Sequence, residues 1–175
     1  MVYLLGILIL IGLLIFLLKP RMGRVDFGPF LGWDYAHRGF YDNSGDVPEN
    51  SLSARVTSYL DSYTGAFMVE SFNPQVVAYF KKHRPNSIRR QLSGDLSRQK
   101  GLIYFDIKHL LTNCLTRPDF IAYEHEFQKN PSLNLIRLLF RIPHVVYTVK
   151  TPQGYINHKK RFDIQIFEGF DAKEM

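Results

Sequence analysis

The sequence predicts an α/β domain behind an apolar N-terminal helix, and two patterns carry that reading. The first is the rhythm of residues 32–175, where short apolar runs alternate with helix-like segments in the manner of β/α units. The second is the run 2–18, VYLLGILILIGLLIFLL, apolar or glycine throughout and without a charge. As a helix it would rise about 26 Å, near the lower limit for crossing a bilayer. A cleaved signal peptide would need a positive start and a small-residue cleavage site. This start has no Lys or Arg, and Lys19-Pro20-Arg21 follows the run, so residues 2–18 read as an uncleaved transmembrane anchor.

Lys19, Arg21 and Arg24 lie just past the anchor, in a basic linker over residues 19–31. The positive-inside rule then predicts a single-pass membrane protein with its domain on the cytoplasmic side. Cys114, the single cysteine, excludes an internal disulfide and agrees with a reducing compartment. The formal net charge of +6 reads as a diffuse basic excess, densest at Lys81, Lys82, His83, Arg84, Arg89 and Arg90 around a predicted helix end. Cations there suit the helix dipole. Attraction to anionic lipid headgroups is the next reading. Nucleic acid is not an expected partner, because no recognition motif accompanies the charge.

Past the linker, strands are predicted over 33–36, 67–71, 88–92, 120–123, 144–149 and 164–167. Helices are predicted over 52–63, 74–83, 133–140 and 152–160. Asn50 or Ser51 can cap the first helix, and Asn73 can cap the second with Pro74 at its first position. The stretch 93–117 fits no neat unit, although 102–111 is apolar enough to pack.

The chemistry-bearing segment is Ala36-His37-Arg38-Gly39, with Pro48-Glu49-Asn50-Ser51 a short way on. An imidazole can move a proton near neutral pH. A guanidinium can grip phosphate oxygens bidentately, and the glycine allows a sharp turn. Four further segments follow: Met68-Val69-Glu70-Ser71-Phe72-Asn73-Pro74, His83-Arg84-Pro85-Asn86, Val145-Val146-Tyr147-Thr148-Val149-Lys150 and Phe162-Asp163-Ile164-Gln165-Ile166-Phe167-Glu168. In order and rough spacing the set resembles the glycerophosphodiester phosphodiesterase family. Tyr147 stands where that family usually has Trp, and Phe167-Glu168 where Thr-Asp is common.

The resemblance implies a TIM barrel, hydrolysis of glycerophosphodiesters to an alcohol and glycerol 3-phosphate, and a role in lipid metabolism. A full barrel takes about 250 residues, whereas about 145 follow the linker here. Residues 51–54 begin the first barrel helix as the family does, and 57–63 already resemble the helix before the late Glu-Ser-Phe strand. Roughly a hundred residues, including three strands, are absent between them by this comparison. The expected fold is therefore an incomplete, TIM-barrel-like β/α domain over residues 32–175, behind the transmembrane helix.

By resemblance, His37 is one half of an acid/base pair and Arg38 binds the phosphate. Glu49 lies at the edge of the substrate site, although an acid there could equally launch the following helix. Tyr147 lines the pocket. The family uses a divalent cation, Ca²⁺ or Mg²⁺, held by a Glu-x-Asp pair and a distant Glu, and a second His in a His-Asp pair. This sequence has neither Glu-x-Asp nor His-Asp, so the cation's ligands are expected to be missing and turnover impaired. Glu124-His125-Glu126 reads as a solvated loop, and Glu70 and Glu168 are assigned no role. The alternative is a membrane-tethered remnant that binds phosphate headgroups or a protein partner. Exposed sheet edges would then invite self-association.

Overall fold

The computed structural model describes residues 1–22, the backbone of Tyr35–Ala36, and residues 56–170. The first element is α1, Val2–Leu18, which stops where Pro20 bars the α-conformation at Lys19; Lys19 is extended, at φ −59° and ψ 121°. Its 17 residues rise about 26 Å, short of the roughly 30 Å of bilayer hydrocarbon. Among the described residues no helix is long and apolar enough to cross a membrane, so the transmembrane reading of residues 2–18 is not supported. Side chains from Val2 to Phe16 are nevertheless mostly exposed, while Leu18 is fully buried in the domain.

The domain is α/β, with one parallel half-barrel sheet. Its strands are β1 (Tyr35–Ala36), β2 (Met68–Ser71), β3 (Ile88–Ser93), β4 (Phe120–Glu124), β5 (His144–Val149) and β6 (Ile164–Phe167). Their order across the sheet is β1-β6-β5-β4-β3-β2, every neighbouring pair parallel. The first strand thus lies beside the last, while β1 and β2, consecutive along the chain, form the two outer edges.

Residues 56–61 are helical, within the predicted 52–63. The later helices are α2 (Pro74–His83), α3 (Leu102–Lys108), α4 (Asn113–Thr116), α5 (Pro131–Phe140) and α6 (Pro152–His158). Three of them start the same way, with a capping side chain followed by proline. Asn73 accepts from the Gln75 N–H, Asn130 from Leu133 and Thr151 from Gly154. Each cap satisfies one orphan donor, and each proline occupies a position whose N–H would be unpaired anyway. This is why α5 begins at Pro131, two residues before its predicted start. The stretch left unassigned holds α3 and α4, and residues 51–55, with the Asn50 and Ser51 caps, lie outside the described residues.

The two sheet faces are covered differently. On the outer face Ile121 and Tyr123 bury against Leu110, Leu133, Ile136 and the Leu18 end of α1. The inner cluster contains strand residues alone: Phe120, Ala122, Val145, Tyr147, Ile164 and Ile166, with Met68, Ile88 and Leu92 packed on it. Burial falls off towards β2, which is the open side of the half-barrel. Arg89 and Arg90, grouped with the basic cluster around a helix end, are both buried within β3. The Arg89 guanidinium donates to the carbonyls of Pro85 (3.0 Å) and Ser87 (2.9 Å), and its backbone N–H donates to Asp119 (2.8 Å). Burial lowers its pKa, partly offset by the Asp119 carboxylate.

Candidate functional site

In parallel β/α sheets the loops at the carboxyl ends of the strands carry the chemistry. Here that rim runs past Ser71, Ser93, Glu124, Val149 and Phe167. At its centre three strand ends are tied together. The Tyr147 hydroxyl donates to the Ser93 carbonyl at 2.7 Å. The Asp95 N–H donates to Glu124 Oε2 at 3.0 Å, and Lys108 Nζ donates to Asp95 Oδ1 at 2.6 Å. The Tyr123 hydroxyl, on the outer face, donates to the Lys108 carbonyl (3.0 Å) and accepts from Asn130 Nδ2 (2.9 Å).

Gly94 makes this closeness possible. A Cβ at that position would lie 2.6 Å from Glu124 Oε2 and 3.1 Å from the Tyr147 hydroxyl oxygen. Between Val146 and Val149 the β5–β6 register shifts, and the Tyr147–Thr148 peptide in that interval is cis.

Charge inside the rim is held in fixed pairs. Glu70 and Arg90 are register partners on the inner face and form an ion pair. The Arg90 guanidinium also lies 5.6 Å from the Phe120 ring centroid, within cation–π range. Burial holds the Tyr147 phenol well above its ordinary pKa of 10.0, with the Glu124 and Tyr123 charges adding to it and Arg90 opposing. Burial likewise pushes Tyr123 up to about 12. Both phenols are therefore protonated donors at neutral pH. The Lys108 ammonium, followed by Ser97, holds the Asp95 carboxyl below its ordinary value.

Beside this network a cleft of about 550 Å³ opens between Phe72–Gln75 and the segment from Leu96 to Ile107. Phe72, Leu96, Ile103 and Tyr104 give it an apolar lining, and Asn73, Gln75 and Gln99 add amides. Phe72 also meets Tyr147 edge-to-face at 5.9 Å, which joins the cleft to the strand-end network. This is a chemistry of binding: apolar walls, amide groups and phenols committed as donors.

His37, Arg38 and Glu49 lie outside the described residues. Tyr147 is on the inner face at the rim, nearly buried, with its hydroxyl engaged by Ser93. Glu124 does not belong to a solvated loop as expected; it is the last residue of β4, held by the Asp95 N–H and the space at Gly94. His125–Phe127 form a 3-10 turn after it. Arg90, Gly94, Asp95 and Lys108 escape the sequence because their partners, Glu70 for Arg90, Glu124 and Tyr147 for Gly94, and Glu124 and Lys108 for Asp95, lie on other elements. The one cue is Gly94-Asp95 placed directly after a strand.

The divalent cation implied by the resemblance can be tested against these side chains. Among the described residues no group of three or more His, Cys, Asp or Glu could hold a metal ion. Glu70 is paired with Arg90, and Glu124 accepts a backbone N–H. A hard cation needs several converging oxygen ligands, and the described carboxylates do not supply them. No family model, curated protein or solved structure matches this chain.

Proposed function

We propose that the chain is a membrane-attached relative of the glycerophosphodiester phosphodiesterases that keeps part of the barrel and turns over little or no substrate. The strand order carries this reading. In a closed barrel the first and last strands are neighbours, as β1 and β6 are here, and the sheet opens between β1 and β2. By the resemblance read from the sequence, the missing strands would fall in that same interval. His37 directly follows Ala36, the last residue of β1, in the sequence, and such barrels place their acid/base groups after the strands.

In the parent reaction water forms a new O–P bond, the P–O bond to the alcohol breaks, and the alcohol leaves with a proton. His37 would move that proton, Arg38 would hold the phosphate oxygens, and Glu49 and Tyr147 would border the glycerol-phosphate group. Losing one acid/base partner alone costs about 10²–10⁴-fold in rate. The apolar α1 holds the domain at a membrane through its exposed, uncharged surface.

The test is glycerol 3-phosphate release from glycerophosphocholine by the full chain in detergent, with Ca²⁺, with Mg²⁺ and with chelator, beside His37→Ala. No release above the His37→Ala background is expected. Cation-dependent release abolished by His37→Ala would establish an active enzyme and overturn the impaired reading. A second reading, a non-enzymatic domain that binds a partner, is favoured by the two outer strands, whose outer edges pair with no other strand among the described residues and could pair with another chain.

A further inference from the structure

We infer that the strand-start end of the half-barrel is a docking face for an anionic lipid surface, so that the strand-end rim points away from the membrane. This rests on the proposed membrane attachment of α1 and adds to it an orientation and a lipid preference.

The segments that lead from a helix into a strand reach this end, and those before β3, β4, β5 and β6 carry cations, while residues 62–67, before β2, carry no charge. Residues 81–87, before β3, hold Lys81, Lys82 and Arg84. Residues 117–119, before β4, hold Arg117, and 141–143, before β5, hold Arg141. Residues 159–163, before β6, hold Lys159, Lys160 and Arg161. Against these eight cations the same segments hold two acids, Asp119 and Asp163. Asp61, in the helix before β2, pairs with Arg84, which leaves a surplus of five at this end.

Both acids of those segments are engaged within the fold. Asp119 accepts from the Arg89 N–H and from Arg21, and Asp163 accepts from the His144 N–H at 2.7 Å. The strand-end connections differ in kind. Residues 94–101, 124–130, 150–151 and 168–170 carry four cations and four acids, which balance.

The apolar helix leaves from the charged end. Arg117 Nη1 donates to the carbonyls of Phe16 (3.0 Å) and Lys19 (2.7 Å) and stacks 4.7 Å from the Phe16 ring centroid. Asn113 Nδ2 donates to the Leu18 carbonyl at 3.0 Å, and the Arg21 N–H donates to the Pro118 carbonyl at 2.9 Å. Exposed leucines join the patch at Leu115 and, in the last turns of α5, at Leu138 and Leu139. An uncharged helix set in a ring of cations is complementary to hydrocarbon beneath anionic headgroups. It is not complementary to a nucleic-acid backbone, which offers no apolar phase.

The experiment is partitioning of the full chain onto phosphatidylcholine vesicles and onto vesicles that also contain phosphatidylserine. Insertion of α1 alone predicts binding to both in equal measure. The charged face predicts a gain on phosphatidylserine on the order of tenfold or more, lost at high salt. Lys159→Glu/Lys160→Glu/Arg161→Glu, all exposed, should remove most of that gain, and Arg98→Glu/Lys100→Glu at the rim should leave it intact. The wild-type salt series tests the same point without any variant. No phosphatidylserine gain, a gain kept by the triple variant, or displacement of bound vesicles by duplex RNA would each overturn the proposal. Failure to bind pure phosphatidylcholine would instead overturn the α1 reading and leave the charge comparison standing.

Discussion

The two ends of the sheet are built on opposite principles. At the strand-end rim, charges are balanced and side chains are spent on one another, as in the Tyr147–Ser93 and Glu124–Asp95 contacts. At the strand-start end, the acids Asp119, Asp163 and the Asp61 that pairs with Arg84 are tied, and the counted cations still outnumber these acids. One end is therefore organised from within, and the other is organised to meet something outside. A basic excess that looks diffuse along the chain becomes local once helices return their C-terminal ends to one side of a parallel sheet. Cations at those ends also suit the helix dipoles, so the pattern serves folding as well.

The sharpest way to break this contrast is to remove the fully buried acid of the cationic end, Asp119. Asp119 has no exposed side-chain surface, and it serves both Arg89 and Arg21. Asp119→Ala leaves the buried Arg89 N–H without its acceptor and should cost about 2–4 kcal/mol in urea unfolding. A loss below about 0.5 kcal/mol would show that the cationic end tolerates its own repulsion. Next in size, Gly94→Ala puts a methyl against Glu124 and Tyr147 and should cost about 1–3 kcal/mol. Tyr147→Phe removes only the hydroxyl bonded to Ser93 and should cost about 1 kcal/mol. If the order of these two reverses, the rim rests on that hydroxyl more than on its packing.

The smallest effect is one of pH. Burial is the first cause that lowers His144 and His158 below their ordinary 6.5; at His144 Arg137 and Arg161 add to it against Asp163, and at His158 His125 and then Arg161 add to it. The unfolded chain then binds protons that the folded chain refuses, so stability falls as pH drops below the ordinary value. Tm at about pH 5.5 should be a few degrees below that at about pH 7. His158→Gln should narrow the gap, and an unchanged gap would exclude this residue as its source.

Much of the architecture was legible because local signals agree. Strands 144–149 and 164–167 and the helix over 74–83 fall where the apolar runs and the Asn73-Pro74 start place them. The helix from Pro131 begins ahead of its predicted start because Asn130-Pro131 carries the same start signal in a less apolar context. The rim was not legible. Its ties join Ser93 to Tyr147 and Asp95 to Glu124, pairs that become neighbours only when β3, β4 and β5 align. Arg90 is grouped with the basic cluster in the sequence because nothing local announces that Glu70 will stand opposite it.

The junction of α1 with the domain has a mechanical meaning. Its last carbonyls are gripped by Asn113 and Arg117, about a hundred residues further along the chain, and Leu18 is locked into the core behind them. A limp leash would let its cargo tumble while held near a surface; this joint works as a handle. Any tilt of the helix is passed to the sheet, so the lipid would fix which way the cleft beside Phe72 faces as well as where the protein resides.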